Sequence, residues 1–167
     1  MRLSFLSLAL SGLLLLPAAA QADTFNFNAI GSGGGFSGSG VLTASNNGDG
    51  SYTINAMSGS GITGLIAADG FFGNDNLLFP TASRLLDVNG FAFTQVLAGV
   101  TYSVNIFSTV AGYEAISLGS DGDFEDAPVT FTLTNTSAVA PEPSSLFLLG
   151  SGILAAAATQ IRRRLNV

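Results

Sequence analysis

The sequence predicts an all-β fold, either an antiparallel sandwich or a flattened barrel. Turn residues separate short segments of chain at residues 46–50, 89–90, 111–112 and 119–127. The segments between the turns show no helical period. Apolar side chains instead recur at every second position, as in half-buried strands, at Phe25 and Phe27; Tyr52, Ile54 and Ala56; Tyr102, Val104 and Ile106; and Val129, Phe131 and Leu133. Their spacing predicts about eight or nine strands.

Residues 31–40 are glycine-rich and might be mistaken for a phosphate-binding loop. No helical pattern follows this segment and the chain has no lysine, so it lacks the context that a dinucleotide-binding fingerprint requires. A flexible loop or a bulged, glycine-rich strand is the better interpretation. We expect Phe36 to fix the segment to the core.

The predicted β-domain, residues 23–137, is glycine-rich and acidic. Of the chain's 11 acidic residues only Glu142 lies outside residues 23–140, and of its five basic residues only Arg84 lies inside them. The resulting net charge of about −9 argues against nucleic acid and an anionic membrane surface as partners, because both bind clustered Lys and Arg. The chain has no cysteine, so no disulfide framework is predicted.

The composition also argues against catalysis. Without histidine or cysteine there is no Ser-His or Cys-His nucleophile and no usual zinc site. Paired carboxylates, as in glycosidases, are the remaining option. Glu114, beside Tyr113, is the only glutamate in the middle of a predicted strand, and we expect it to be an exposed strand residue. The chain is predicted not to be an enzyme.

One acidic segment is a candidate calcium site. Calcium prefers hard oxygen ligands, and four carboxylates fall within six residues, at Asp121, Asp123, Glu125 and Asp126. The spacing is not that of an EF-hand loop, because Asp126 stands at the sixth position and Thr132 at the twelfth. A solvated acidic turn is the alternative. Residues 74–76, Asn-Asp-Asn, form a second oxygen-rich loop. No other cofactor is predicted.

The first 22 residues have the order of a secretory signal peptide. Arg2 supplies the basic region, residues 3–16 the apolar region, and residues 17–22 the small-residue region, with Ala20 and Ala22 in an A-x-A arrangement. The export machinery and signal peptidase are the partners expected here, and cleavage after Ala22 leaves Asp23 as the first residue. The alternative is an uncleaved N-terminal helix.

A second membrane-directed segment follows the β-domain. Residues 138–143 form a linker that ends in Pro141, Glu142 and Pro143, and the apolar residues 144–161 follow at once. As a helix the apolar run measures about 27 Å, close to the ~30 Å core of a bilayer, so we expect it to span the inner membrane. Residues 162–167 form a basic tail whose cluster stays cytoplasmic, at Arg162, Arg163 and Arg164. The β-domain should then face the periplasm.

This order of Pro-Glu-Pro, apolar span and arginine cluster resembles the PEP-CTERM sorting signal of Gram-negative bacteria that secrete polysaccharide. The resemblance is confined to the end of the chain. It implies recognition and cleavage near residues 141–143 by an exosortase, and association of the processed protein with exopolysaccharide or biofilm at the cell surface or in the extracellular matrix. The alternative is a plain single-pass anchor with a proline-rich linker.

Three classes of function therefore remain for the β-domain. The first is a non-catalytic surface or matrix protein, sorted through its tail. The second is an adhesin-like module that binds calcium or glycan through residues 119–127 and 74–76. The third, an enzyme, would use Glu114.

Overall fold

The structure, a computed structural model, describes residues 22–32, 36–136 and 150–153. The β-domain belongs to a compact unit that spans Ala20–Ser137. Residues 150–153 are helical and exposed. Ala20, the Pro-Glu-Pro motif, the rest of the predicted span at 144–161 and the arginine cluster lie outside the described residues. Within the described ranges, no helix has the length and apolar character needed to cross a membrane.

The β-domain consists of antiparallel strands, which confirms the all-β prediction. In chain order they are β1 (Ala22–Gly31), β2 (Gly38–Asn46), β3 (Tyr52–Gly59), β4 (Ile62–Leu65), β5 (Leu77–Leu78), β6 (Phe91–Leu97), β7 (Val100–Thr109), β8 (Gly112–Gly119) and β9 (Phe124–Asn135). The predicted acidic turn is shorter than expected, because β9 already begins at Phe124.

All nine strands form one sheet with the order β4-β6-β7-β8-β9-β1-β2-β3-β5. The chain passes from β3, near one edge, to β4, at the other edge, through Ser60 and Gly61 alone. So short a connection brings the two edges together only if the sheet curls. The fold is therefore a curled antiparallel half-barrel, closer to the flattened barrel than to a sandwich of two separate sheets.

The concave face of the sheet holds an aromatic core. Phe27 contacts the rings of Phe91, Phe93 and Phe131, with centroids 5.7 to 6.3 Å apart. Phe36 is buried against Phe93, at 5.8 Å, which confirms that it fixes the glycine-rich segment to the core. Truncating such a buried phenylalanine to alanine typically costs about 3–5 kcal/mol.

The alternation in β3 departs from the sequence-based expectation. Ala56 is exposed and Met57 packs against the core instead. The pairing with β2 shifts between Thr43 and Ala44, so that Thr43 faces Ala56 while Ala44 faces Ile54. Because this bulge adds a residue to β3, the side chains beyond it change faces.

The sheet has two ends that differ in their connections. At one, here called the tail end, β1 begins and β9 finishes, with Phe25 opposite Asn135. At the other, here called the acidic end, β8 turns into β9, with Leu118 opposite Phe124, and β6 turns into β7 at Ala98 and Gly99. The two ends carry the candidate functional residues.

Candidate functional sites at the two ends of the sheet

The acidic end is shaped by the β8–β9 turn. The backbone amide of Gly119 donates to the carbonyl of Asp123 at 2.7 Å, and the amide of Gly122 donates to the carbonyl of Gly119 at 3.0 Å. Gly122 has a φ of 89°, which glycine adopts without steric cost. The Asp121 carboxylate closes the turn by accepting from the amide of Asp123 at 3.2 Å.

The four predicted calcium ligands do not share one surface. Glu125 lies on the concave side of β9, in phase with the buried Val129 and Phe131, whereas the next residue, Asp126, lies on the exposed side. Among the residues that the structure describes, no group of three or more acidic side chains is arranged to hold a metal ion. This arrangement gives no support to a calcium site made from all four.

The charges of three of the carboxylates act on a single tyrosine. Burial raises the pKa of Tyr102, and the negative charges of Asp121, Asp123 and Glu125 raise it further, because a phenolate beside carboxylates is disfavoured. At neutral pH the Tyr102 hydroxyl is therefore a hydrogen-bond donor in a negative environment.

A cleft of about 190 Å³ opens beside this tyrosine, and we call it the acidic-end cleft. It lies between the start of β2, the β6–β7 turn and the β8–β9 hairpin. Its lining combines apolar, hydroxyl and carboxylate groups, from Phe36, Ser37, Leu97, Tyr102, Ser117, Asp123 and Glu125.

The loop that carries residues 74–76 serves a different purpose from the predicted one. Asn74 and Asn76 are 0% and 4% exposed. The Asn76 side-chain oxygen accepts from the Asn74 amide group at 2.9 Å and from the backbone amide of Ala92 at 3.1 Å. Its nitrogen donates to the carbonyl of Ile66 at 2.8 Å. Both amide side chains are occupied inside the fold, so neither is presented to a ligand.

Asn76 also joins the two edges of the curled sheet. Its backbone carbonyl accepts from the amide of Ile54 in β3, at 2.9 Å, while its side chain bonds to Ala92 in β6. Its φ of 61° lies in the left-handed region, which asparagine tolerates better than most residues. The sequence gives no sign of this role beyond a polar, turn-forming composition.

Asp75 lies beside a second acid near the same loop. Its carboxylate accepts from the backbone amide of Leu77 and from the side chain of Asn89, both at 3.1 Å. Burial raises the pKa of Asp75, and the neighbouring Asp87 adds to the increase. Asp75 therefore keeps its proton to a higher pH than a fully solvated aspartate does.

The single basic residue of the β-domain is hydrogen-bonded within the fold. The guanidinium of Arg84 donates to the hydroxyl of Ser108 at 2.8 Å and to the backbone carbonyls of Thr109 and Val110 at the β7–β8 turn. The described residues thus contain no basic side chain apart from this one, and it is far along the strands from the acidic-end cleft.

Glu114 lies on the convex face of β8. Its neighbours across the strands are Phe107 and Pro128, and neither is an acid. The pairing that glycosidases use needs a second carboxylate about 5–9.5 Å away across a cleft. Glu114 does not line the acidic-end cleft.

The predicted signal-peptide cleavage point lies at the start of β1. Ala22 is exposed and pairs with Ser45, and Asp23 pairs with Ala44. Burial raises the pKa of Tyr52, and a hydrogen bond to Asp23 and its charge contribute. The amide of Thr136 donates to the carbonyl of Thr24 at 2.8 Å. The beginning and end of the β-domain are therefore adjacent at the tail end.

Comparison with known protein families matches residues 139–164 to the PEP-CTERM protein-sorting motif. The match begins beyond β9 and contains the Pro-Glu-Pro sequence, the apolar run and the arginine cluster. Comparisons with curated proteins and with solved structures give no match for the chain. A motif of this kind implies an exosortase as the processing partner. The chain therefore carries a PEP-CTERM protein-sorting motif at residues 139–164.

Proposed function

We propose that the chain is an exported, non-catalytic surface or matrix protein that an exosortase cleaves near residues 141–143. The observation that carries the proposal is the sorting-motif match over residues 139–164. Before cleavage the apolar residues 144–161 hold the protein in the inner membrane, with the β-domain in the periplasm. After cleavage it reaches the cell surface or the extracellular matrix, where it associates with exopolysaccharide.

The layout of the β-domain is compatible with processing at both termini. Asp23 and Thr136 lie at the tail end, on the neighbouring strands β1 and β9. Residues 137–140 connect Thr136 to Pro141, and a chain of this length reaches about 17 Å at most. An exosortase therefore has to cut within that distance of a folded domain, so the tail end must remain accessible to it.

A passive role fits the composition of the domain. It has no histidine and no cysteine, and the residues directly opposite Glu114, Phe107 and Pro128, are not acids. Its negative charge disfavours nucleic acid and anionic lipid. Strand faces with exposed hydroxyl side chains, such as Thr130 and Thr132 of β9, are compatible with a matrix component.

The test is to change the sorting motif in the native host. Pro141→Ala combined with Glu142→Ala should leave the chain uncleaved and retained in the membrane fraction, as should deletion of the exosortase. Glu114→Ala, a glutamate change outside the motif, should be processed like the parent protein. Normal release of the motif variant would contradict the proposal. A parent protein that is itself never cleaved and stays in the membrane fraction would instead fit a plain membrane anchor.

A further inference from the structure

The acidic-end cleft contains polar groups that the fold leaves without partners. Ser117 is only 5% exposed, and among the described residues its hydroxyl has no hydrogen-bond partner, although it lines the cleft. The Tyr102 hydroxyl and the carboxylates of Asp123 and Glu125 are likewise unpartnered within that part of the chain. Because the Ser117 hydroxyl opens onto the cleft and is not sealed inside the fold, a ligand that enters the cleft can replace water as its hydrogen-bond partner.

The negative charge of the cleft favours a positively charged ligand. Asp123 and Glu125 line it, and Asp121 adds a third negative charge near Tyr102. Arg84 is bonded at the β7–β8 turn, so the described residues place no cation there. An anionic ligand such as a uronate is repelled, whereas an ammonium group is attracted.

The walls of the cleft indicate what the charged group is attached to. Phe36, Leu97 and the ring of Tyr102 supply apolar surface for a carbon skeleton, and an aromatic face also attracts an ammonium group. The hydroxyls of Tyr102 and Ser117 suit ligand hydroxyls. The volume of about 190 Å³ is below the range of pockets for drug-sized ligands, and corresponds to roughly one sugar ring.

We propose that the acidic-end cleft binds an amino-sugar unit whose primary ammonium group lies against Asp123 and Glu125 and whose ring packs on Phe36, Leu97 and Tyr102. The inference rests on the proposed association with polysaccharide and names the sugar chemistry that this domain would recognise. Calcium fits less well, because it takes six to eight oxygen ligands, while this lining is partly apolar and includes only two carboxylates.

The test is calorimetric titration of the full-length chain, held in detergent, with short glucosamine oligomers at a mildly acidic pH that keeps the amines protonated. Fully N-acetylated oligomers of the same length are the matched ligand, since they keep the ring and lose the charge. We expect the acetylated oligomers to bind at least about tenfold more weakly, the loss typical of one charge-assisted hydrogen bond.

Variants of neighbouring residues separate specific binding from general attraction to an acidic protein. Glu125→Gln should weaken binding about tenfold, and Ser117→Ala should weaken it measurably. Asp126→Asn, on the opposite face of the same strand, removes an equal charge and should leave affinity unchanged. Equal losses in Glu125→Gln and Asp126→Asn, equal affinity for the two oligomers, or no binding would each overturn the inference.

These results are independent of sorting. Binding is measured on the unprocessed chain, whereas exosortase cleavage is read from the protein in its host. A chain that is cleaved normally but binds no glucosamine oligomer would refute the cleft assignment alone. A chain that binds but is never cleaved would refute the sorting proposal alone.

Discussion

The candidate functional residues at the two ends of the curled sheet differ in whether their polar side chains form hydrogen bonds within the fold. Towards the tail end, the amides of Asn74 and Asn76 and the guanidinium of Arg84 are used in hydrogen bonds within the fold. At the acidic end, Ser117 and Glu125 have no such partners among the described residues. Asn74, Asn76 and Arg84 therefore stabilise the fold, whereas Ser117 and Glu125 remain available for contacts.

The difference follows from how the backbone hydrogen bonds are satisfied at each end. The long segment between β4 and β6 contains only the two-residue strand β5, so its backbone needs side-chain partners in place of a strand ladder. The acidic end consists of tight turns that satisfy their own backbone groups. The carboxylates of Asp123 and Glu125 are consequently not needed to satisfy the backbone at this end.

The largest expected effect is at Asn76. Asn76→Ala removes bonds to Ala92, Asn74 and Ile66, leaves buried partners unsatisfied and places alanine at a positive φ. We expect a loss of about 3 kcal/mol in the free energy of unfolding, measured by urea denaturation of the full-length chain in detergent. Asn55→Ala, which removes one exposed bond to Ser45, should change it by about 0.5 kcal/mol or less. Equal losses would refute the role given to Asn76.

Arg84→Met should have the next largest effect. It keeps an apolar stem but removes the bonds to Ser108, Thr109 and Val110, for an expected loss of about 1–2 kcal/mol. Arg84→Lys, which retains a single donor group, should recover part of the loss. Unfolding midpoints measured under one condition provide the comparison. A methionine variant as stable as the parent would show that these bonds contribute nothing.

The Asp75 and Asp87 pair predicts a pH dependence. Because the pKa of Asp75 is raised in the folded state above its ordinary value of 3.8, the folded protein holds the proton more tightly than the unfolded chain. Its contribution to stability is full below 3.8 and is lost as pH rises through the higher, folded pKa. Asp87→Asn keeps an acceptor for the amides of Asn89 and Gly90 and removes the second negative charge.

Denaturation midpoints across the acidic range test this pair. We expect the parent to lose stability with rising pH over that window, and Asp87→Asn to lose less of it, since burial still raises the pKa of Asp75. A parent and variant with parallel pH profiles would show that Asp87 does not influence Asp75.

The smallest expected effect on stability is at the acidic end. Asp123→Asn should not reduce the free energy of unfolding, because its carboxylate holds no other described residue in place. It should lower the pKa of Tyr102 by removing one of the three charges that raise it. Ultraviolet titration of the tyrosines, with Asp126→Asn as the control, measures this change. A large loss of stability in Asp123→Asn would show that this carboxylate is needed for folding, which would contradict the comparison of the two ends.

The sequence predicts the strands better than the loops. The alternation at Phe25 and Phe27 and at Val104 and Ile106 correctly marks core positions, because one buried face imposes a period of two. Ala56 breaks the pattern because a bulge is a matter of pairing with another strand. The closure of the sheet likewise depends on which strands pair at a distance.

In the candidate sites, too, the sequence predicts local features better than those that depend on strand pairing. The sequence identifies the acidic turn, but only the alternation within β9 separates Glu125 from Asp126. Tyr102 and Ser117 join that turn through strand pairing, which no local motif reveals. By contrast the sorting signal is contiguous in the chain, and residues 139–164 could be recognised without any structure.

The most direct test of the central claim is the intact mass of the protein recovered from the membrane and extracellular fractions of its native host. Export followed by exosortase processing predicts a released chain that begins at Asp23 and ends near residues 141–143, without the arginine cluster. A chain found only in the membrane and still ending at Val167 would contradict it.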